Sequence, residues 1–295
     1  MTTVAVLAHA GKTFGDGLPG LRRALEAQGI ADPMWFEVGK SKEAPRFARK
    51  VKKRGAGLVF VWGGDGMVQR CVDELAGSEI PLAIVPAGTA NLLAHNLEIP
   101  QDIETAVRIG LHGGRRSLDV GSVNGERFAV MAGVGFDALM IRDAGGGLKD
   151  RAGQLAYVWT GAKHLREKPM RARVRVDGAK WFKGDVSCVL VGNVGRVIGD
   201  LPVFDGARPD DGRLDVGLVT AKGLVEWART MGRTVVGQPE DSPFVQTISA
   251  AEVDIKLEDE MAYELDGGDR PPTDRLKIKV EPGAITVCVP EVEVS

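Results

Sequence analysis

The strongest constraint on this chain is a pattern met three times near its start: an apolar run, a glycine-bearing loop, then helical periodicity. "TVAVLAH" runs into "HAGKTFGDG", "LVFVWG" into Gly63-Gly64-Asp65-Gly66, and "PLAIVP" into Pro86-Ala87-Gly88-Thr89-Ala90-Asn91. Runs apolar on both faces are strands covered on both sides. "MWFEVG" supplies one more strand. "LPGLRRALEAQGI" reads as a helix with Leu18, Leu21 and Leu25 on one face and Gly29 as its stop. "SKEAPRFARKVKKRG" reads as another, with Ser41 as N-cap, Phe47 and Val51 turned inward and Gly55 at its end. "MVQRCVDELAGS", "NLLAHNLEI" and "QDIETAVRIGLHG" continue the series. Strands alternating with helices predict a parallel sheet covered on both faces, an α/β domain over residues 1–116.

The texture changes near Arg115. Short alternating segments follow, among them "RARVRVDGAKWFKGDVSCVLVGNVG" and "LKIKVEPGAITVCVP". Asn124-Gly125 and Asp177-Gly178 sit between alternating runs, which is a hairpin signal. Residues 117–295 are therefore expected to form a β-sandwich domain, with the last strand "AITVCVP" a candidate for return to the first domain. Helices are expected across "AGQLAYVWTGAKHLRE" and "LVEWARTMGRTVVG", and a flexible loop at "DAGGGLKD".

Composition removes several function classes. The net charge of -2 and the 5% aromatic content argue against a nucleic-acid binder, which needs a basic field or stacking platforms. Cys71, Cys188 and Cys288 lie too far apart for metal-ligand spacing and read as buried thiols. His9, His95, His112 and His164 show no metal spacing either. The N-terminus has no basic n-region, and no apolar run reaches the ~18 residues of a membrane span. A cytoplasmic protein is expected, meeting a membrane, if at all, peripherally at its inner face.

The three loops are the candidate chemistry. In an open α/β sheet, ligands bind beyond the carboxyl ends of the strands. Glycines admit a phosphate close to the backbone, and the following helix offers unpaired N–H groups. Gly11 and Lys12, Gly63, Gly64 and Gly66, and Gly88, Thr89 and Asn91 would thus line one nucleotide cleft. Three separate tight turns without a ligand are the plainer alternative. Asp65 would be repelled by phosphate unless Mg²⁺ intervened. It also suits an N-cap. "ARPDDGRLDV" and "YELDGGDR" are acidic turns, each by itself more often structural than functional.

Taken together, these motifs resemble the diacylglycerol kinase catalytic-domain family, to which sphingosine and ceramide kinases are also similar. The resemblance rests on Gly63-Gly64-Asp65-Gly66, on the Pro86–Asn91 loop, on "DDGRLDV" and on "LDGG", in order over essentially the whole chain. It implies a phosphofructokinase- and NAD-kinase-like α/β domain followed by a lipid-substrate β-sandwich. It implies ATP and Mg²⁺ as cofactors, and transfer of the γ-phosphoryl group to a lipid hydroxyl. Asp65 would meet phosphates and metal, and Asp266 would be the base near the acceptor hydroxyl. Asp211, with the carbonyls of Arg208 and Arg213, would hold a structural Mg²⁺. The implied partner is diacylglycerol or another long-chain alcohol, with no nucleic acid; a homodimer is left open. Phe128, Met131, Met140, Tyr157 and Trp159 are candidates for an acyl pocket or for plain core.

The sequence departs from the family pattern at four places. Met67 replaces a hydroxyl, Arg70 replaces a common Glu, His9-Ala10 replace Asn-Pro, and Gly268 replaces a Glu that Asp269 would have to supply from the next position. These departures carry the alternative of a catalytically weak relative that binds nucleotide or lipid. NAD kinase, which shares the GGDG loop, is a further alternative.

Overall fold

A computed structural model describes residues 3–135, 169–198, 201–204, 206–222 and 242–291, with single positions 226, 230 and 233. The chain separates into two compact units, Met1–Leu118 with Gly283–Ser295, and Asp119–Pro282.

The first unit alternates as its apolar pattern requires. Its elements are β1 (Val4–His9), α1 (Gly17–Ala27), β2 (Met34–Val38), α2 (Ala44–Lys53), β3 (Leu58–Gly63), α3 (Asp65–Leu75), β4 (Leu82–Pro86), α4 (Leu92–Asn96) and α5 (Ile103–His112). The strands pair in parallel in the order β2-β1-β3-β4. Every position of β3 is buried, with Phe60 and Trp62 fully enclosed. Each such side chain contributes about 1.5–3 kcal/mol of hydrophobic stabilisation. α1 buries Leu21 and Leu25, as its spacing predicts.

The start of α2 differs from the sequence expectation. Its first turn is a 3₁₀ segment over Ser41–Glu43, and Glu43, rather than Ser41, accepts the loose N–H groups, from Gly39 at 3.0 Å and Lys40 at 3.4 Å. α5 is capped by Asp102, whose carboxylate accepts from Thr105 N at 2.8 Å.

The second unit is built from antiparallel ladders. β5 (Gly114–Val123) enters it, followed by β6 (Glu126–Phe128), β7 (Met131–Val134), β8 (Met170–Val176), β9 (Ala179–Val186) and β10 (Cys188–Gly192). Then come β11 (Arg196–Ile198), β12 (Leu201–Pro202), β13 (Leu214–Val219), β14 (Val245–Ala250), β15 (Glu252–Leu265) and β16 (Gly268–Val289). One ladder runs β14-β13-β10-β7-β15, and β15 also pairs with β8 and β16. The far end of β16 belongs to the first unit and pairs in parallel with β4 at Val287 and Leu82.

The two hairpins read from the sequence are present. Asn124-Gly125 and Asp177-Gly178 have positive φ at both positions, and Asp266-Gly267 joins β15 to β16 in the same way. This is the pattern of a type I′ turn, whose twist matches the strands it connects.

The alternation of β8 buries Met170, Ala172, Val174 and Val176 and exposes the arginines between them. The buried set joins Phe128, Leu214, Val253, Ile255 and Leu276 in one core. Phe128 and Met131 are fully buried. Met140, Tyr157 and Trp159, the helix expected from Ala152, and the loop at Asp143–Asp150 lie outside the described residues, as does most of the later helix from Leu224.

The three cysteines are free and buried, and desolvation pushes the Cys71 and Cys188 thiols up to about 12. Among the described residues, no helix is long and apolar enough to cross a membrane.

Candidate functional site

The order β2-β1-β3-β4 reverses direction between β1 and β3, the place where an open parallel sheet opens a crevice at its carboxyl edge. Three loops meet at that edge. After β1, His9 turns back on its own loop and accepts from Gly11 N at 3.1 Å through Nδ1. Trp62, at the end of β3, donates its indole N–H to the Lys12 carbonyl at 3.2 Å, so a buried polar atom ties the first loop to the second. Ala87 N donates to the Gly63 carbonyl at 2.9 Å, tying the second to the third.

The glycines of this edge serve different ends. A Cβ built on Gly64 would lie 2.9 Å from the Gly88 Cα, and one on Gly63 would lie 2.6 Å from the Met67 Cβ. Gly63, Gly64 and Gly88 are therefore demanded by packing: the second and third loops press backbone to backbone. Gly66 is different. It lies in the first turn of α3, exposed, and a Cβ there would meet no atom of the described residues within 4 Å. Packing among the described residues does not account for that glycine, and it stands where a helix N-terminus offers N–H groups to an anion.

Asp65 does not cap its own helix in the simple sense. Its Oδ1 accepts from Leu92 N, 27 residues on, at 2.5 Å, and so holds the start of α4 against the GGDG loop. Desolvation raises its pKa, opposed by hydrogen bonds from the N–H groups of Leu92, Asp65 itself, Asn91 and Leu93. Asn91 is spent within its loop. Its Oδ1 accepts from Gly88 N at 2.8 Å and its Nδ2 donates to the Gly88 carbonyl at 2.9 Å, with φ at 49°. Thr89, by contrast, is exposed. Met67 is buried to 1% exposure beneath Gly63, so position 67 contributes core rather than a hydroxyl to the loop.

Asp266 and Asp211 belong to the second unit, where buried polar side chains join them. Asp266 is buried and accepts three backbone N–H bonds, from Ala129 at 2.8 Å and from Val130 and Met131 at 2.9 Å. Asn193 Nδ2 donates to the carbonyls of Ala129 and Asp119, at 3.0 and 2.8 Å. Asp119 in turn accepts from Gly212 N at 2.6 Å, within the "ARPDDGRLDV" turn. Asp119 and Asn193 escape a motif search. Their signal in the sequence is a lone polar residue inside an apolar run.

Asp211 accepts from Arg213 N at 2.9 Å, Arg208 pairs with Asp210 at 3.5 Å, and the Arg213 guanidinium is turned onto Ser249 and Asp177. Among the described residues, no three His, Cys, Asp or Glu side chains cluster as a metal site. A cation here would need ligands besides carboxylates, as Mg²⁺ bound with phosphate oxygens has.

At the β15–β16 turn the register is unshifted: Leu265 faces Gly268, Glu264 faces Asp269 and Tyr263 faces Arg270. Neighbouring strand residues point to opposite faces, so Asp269 does not take the place of a side chain at 268. Arg270 holds Glu126 with a two-pronged bond, 2.7 Å from Nε and 2.5 Å from Nη2.

An α/β unit with a glycine-lined edge, followed by an antiparallel β-sandwich, defines a known class of fold. A crystal structure of a diacylglycerol kinase from Bacillus anthracis str. Sterne superposes with a TM-score of 0.74 at 22% identity, covering 97% of this chain and 96% of that one. An NAD kinase from Archaeoglobus fulgidus in complex with ATP superposes at 0.53 with 11% identity, covering 97% and 93%. These likenesses define the fold.

Residues 4–123 match the family model described as the diacylglycerol kinase catalytic domain, and residues 130–289 that of the YegS C-terminal NAD kinase beta sandwich-like domain. The chain belongs to the diacylglycerol kinase catalytic-domain family, a family of lipid kinase-type phosphotransferases. It is 29% identical over 229 residues to the Diacylglycerol kinase of Bacillus subtilis (strain 168), covering 76% of this chain and 75% of the relative. It is 28% identical over 280 residues to the Probable lipid kinase YegS-like of Cronobacter sakazakii (strain ATCC BAA-894), covering 92% and 91%.

Proposed function

We propose that this chain is an ATP- and Mg²⁺-dependent lipid kinase that phosphorylates the hydroxyl of diacylglycerol or a related long-chain alcohol at the cytoplasmic face of a membrane. The observation that carries the reading is Gly66, a glycine in the first turn of α3 whose missing side chain no atom of the described residues explains. Phosphate approach to the backbone explains it.

ATP with magnesium supplies the phosphoryl group and neutralises its charge; the chain's part is positioning. Gly11, Lys12, Gly63, Gly64, Gly66, Gly88, Thr89 and Asn91 form the nucleotide edge in this reading. Asp65 is the carboxylate beside the phosphates, and its bond to Leu92 N at 2.5 Å fixes both its place and that of the third loop. Asp266 serves the acceptor hydroxyl. With three N–H bonds to its carboxylate it is a firmly placed acceptor. The Asp211 turn, with the carbonyls of Arg208 and Arg213, would hold the structural cation.

The test is transfer of labelled γ-phosphate from ATP to a panel of detergent-dispersed lipid alcohols, with NAD as a competing acceptor. Labelled lipid that disappears with Asp65→Ala supports the proposal. No labelled lipid across the panel refutes it, and labelled NADP would assign the chain to the other chemistry of this fold.

A second reading, a weak relative that binds without efficient turnover, is favoured by two observations. Met67 is core, and Asp269 does not take the place of the carboxylate missing at Gly268. In that case ATP raises the melting temperature by mass action while label incorporation stays near background.

A further inference from the structure

The exposed face of the sheet formed by β9, β8, β15 and β16 carries an arrangement that antiparallel sheets avoid. Lys183 faces Arg173, Arg173 faces Lys256, and Lys256 faces Arg275, a straight row of cations across the strands. In the next row Lys180 faces Arg175, Arg175 faces Asp254, and Asp254 faces Lys277. All seven basic residues are exposed, while the alternate residues Ala172, Val174, Ile255 and Leu276 are buried in the core. Asp254 is the single acid of the two rows, and it is committed to Arg275, which donates at 2.9 and 2.8 Å. Asp177, Asp185, Glu252 and Glu258 stand at the margins, with Asp177 paired to Arg213 and Asp185 to Lys222, each at 3.2 Å. Among the described residues, Lys183, Arg173 and Lys256 form no ion pair.

Directly opposed like charges destabilise a sheet. A chain whose net charge is -2 thus concentrates cations where they repel one another. The positive field also reaches Asp254, whose pKa is held below the ordinary value by its bond to Arg275 first and then by the charges of Arg275, Lys277 and Arg175.

We infer that this face is a docking surface for an anionic lipid bilayer. Charge complementarity requires an anionic occupant. A second copy of the chain would set the same cations against themselves across an isologous interface. An open sheet face without aromatic side chains in its rows offers no stacking platform for single-stranded nucleic acid. The four lysines of the two rows suit headgroup phosphates met as point charges. The choice of a bilayer over other polyanions rests on the lipid-kinase reading above.

The experiment is co-sedimentation of the full chain with phosphatidylcholine vesicles, with and without phosphatidylglycerol. The combined variant Arg173→Gln, Lys183→Gln, Lys256→Gln is compared with the wild type. Each basic residue near an anionic surface contributes about fivefold in binding, so the triple variant should partition about a hundredfold more weakly. Lys180→Gln with Lys277→Gln should lose about twentyfold. Neither variant should melt below the wild type, because repulsion is relieved, and neither should change phosphorylation of a short-chain, detergent-dispersed lipid.

Equal vesicle binding by wild type and variants overturns the inference. So does an equal loss on removing Lys50, Lys52 and Lys53 from α2, because binding would then follow net charge rather than this face. Row-dependent binding to an oligonucleotide with indifference to vesicles overturns it in favour of nucleic acid. Row-dependent vesicle binding by a chain that phosphorylates no lipid leaves the face standing and removes the kinase.

Discussion

Replacing Asp266 with Asn separates a structural brace from a group that acts only on substrate. In the native fold one carboxylate oxygen accepts from Ala129 N at 2.8 Å and the other from Val130 N and Met131 N at 2.9 Å. Asn keeps one oxygen. Turned toward Val130 and Met131, it preserves those two bonds as neutral ones and points an NH₂ at the Ala129 N–H. A buried donor left facing a donor costs about 1–3 kcal/mol, and each charge-assisted bond made neutral costs about 1 kcal/mol more.

The sum is about 3–5 kcal/mol, which for a protein of this size lowers the melting temperature by roughly 10 °C. Urea titration followed by circular dichroism, with calorimetry alongside, measures it. Phosphoryl transfer is assayed well below the lowered transition, so that unfolding is not mistaken for lost chemistry. Asp266→Asn protein within about 1 kcal/mol of wild type would refute this account of the brace. Lost activity with unchanged stability would place the carboxylate in the chemistry alone.

Gly66→Ala is expected to stabilise the ligand-free chain by about 0.5–1 kcal/mol, since a helical glycine is replaced without a clash, and to shrink the melting-temperature rise caused by ATP and Mg²⁺; an unchanged ATP response would remove the phosphate from this turn. Met67→Thr restores the family's hydroxyl but removes a core side chain at 1% exposure, so a urea titration should show a loss of about 2–4 kcal/mol, with no gain in activity unless the core is refilled. Asp65 has its folded pKa raised by desolvation, so its ionised form weakens the fold as pH rises from the ordinary value of 3.8. Asp65→Asn should therefore be less destabilising at neutral pH than near pH 3.8, and a gap in melting temperature that widens as pH rises would contradict this. Asp177 has the opposite sign: N–H bonds from Glu252 and Ala251, with Arg213, hold its pKa below 3.8, so its contribution is present above that pH and lost as pH falls further. Asp177→Asn should remove part of the acid sensitivity in a melting-temperature profile.

The sequence by itself determined the local grammar of this protein. Apolar runs closed by glycines became β1, β3 and β4. Leu21 and Leu25 faced inward on α1, and Asn124-Gly125 and Asp177-Gly178 turned their hairpins. These features are legible because each is decided by periodicity or by the φ of one or two residues.

Partners far apart in the chain were decided only by the tertiary structure. Gly64 and Gly88 are glycines because they touch each other, Asp65 is bonded to Leu92, and Asp266 to Ala129–Met131 across some 135 residues. The helix start expected at Ser41 is held by Glu43 instead, since the first turn tightens to 3₁₀ geometry and puts Glu43 within reach of Gly39 and Lys40. The alternating arginines of β8 announce an exposed face. That Lys183 and Lys256 oppose Arg173 depends on strand register, which no single segment encodes. Periodicity tells a residue which way to face; only the packed fold decides what it meets there.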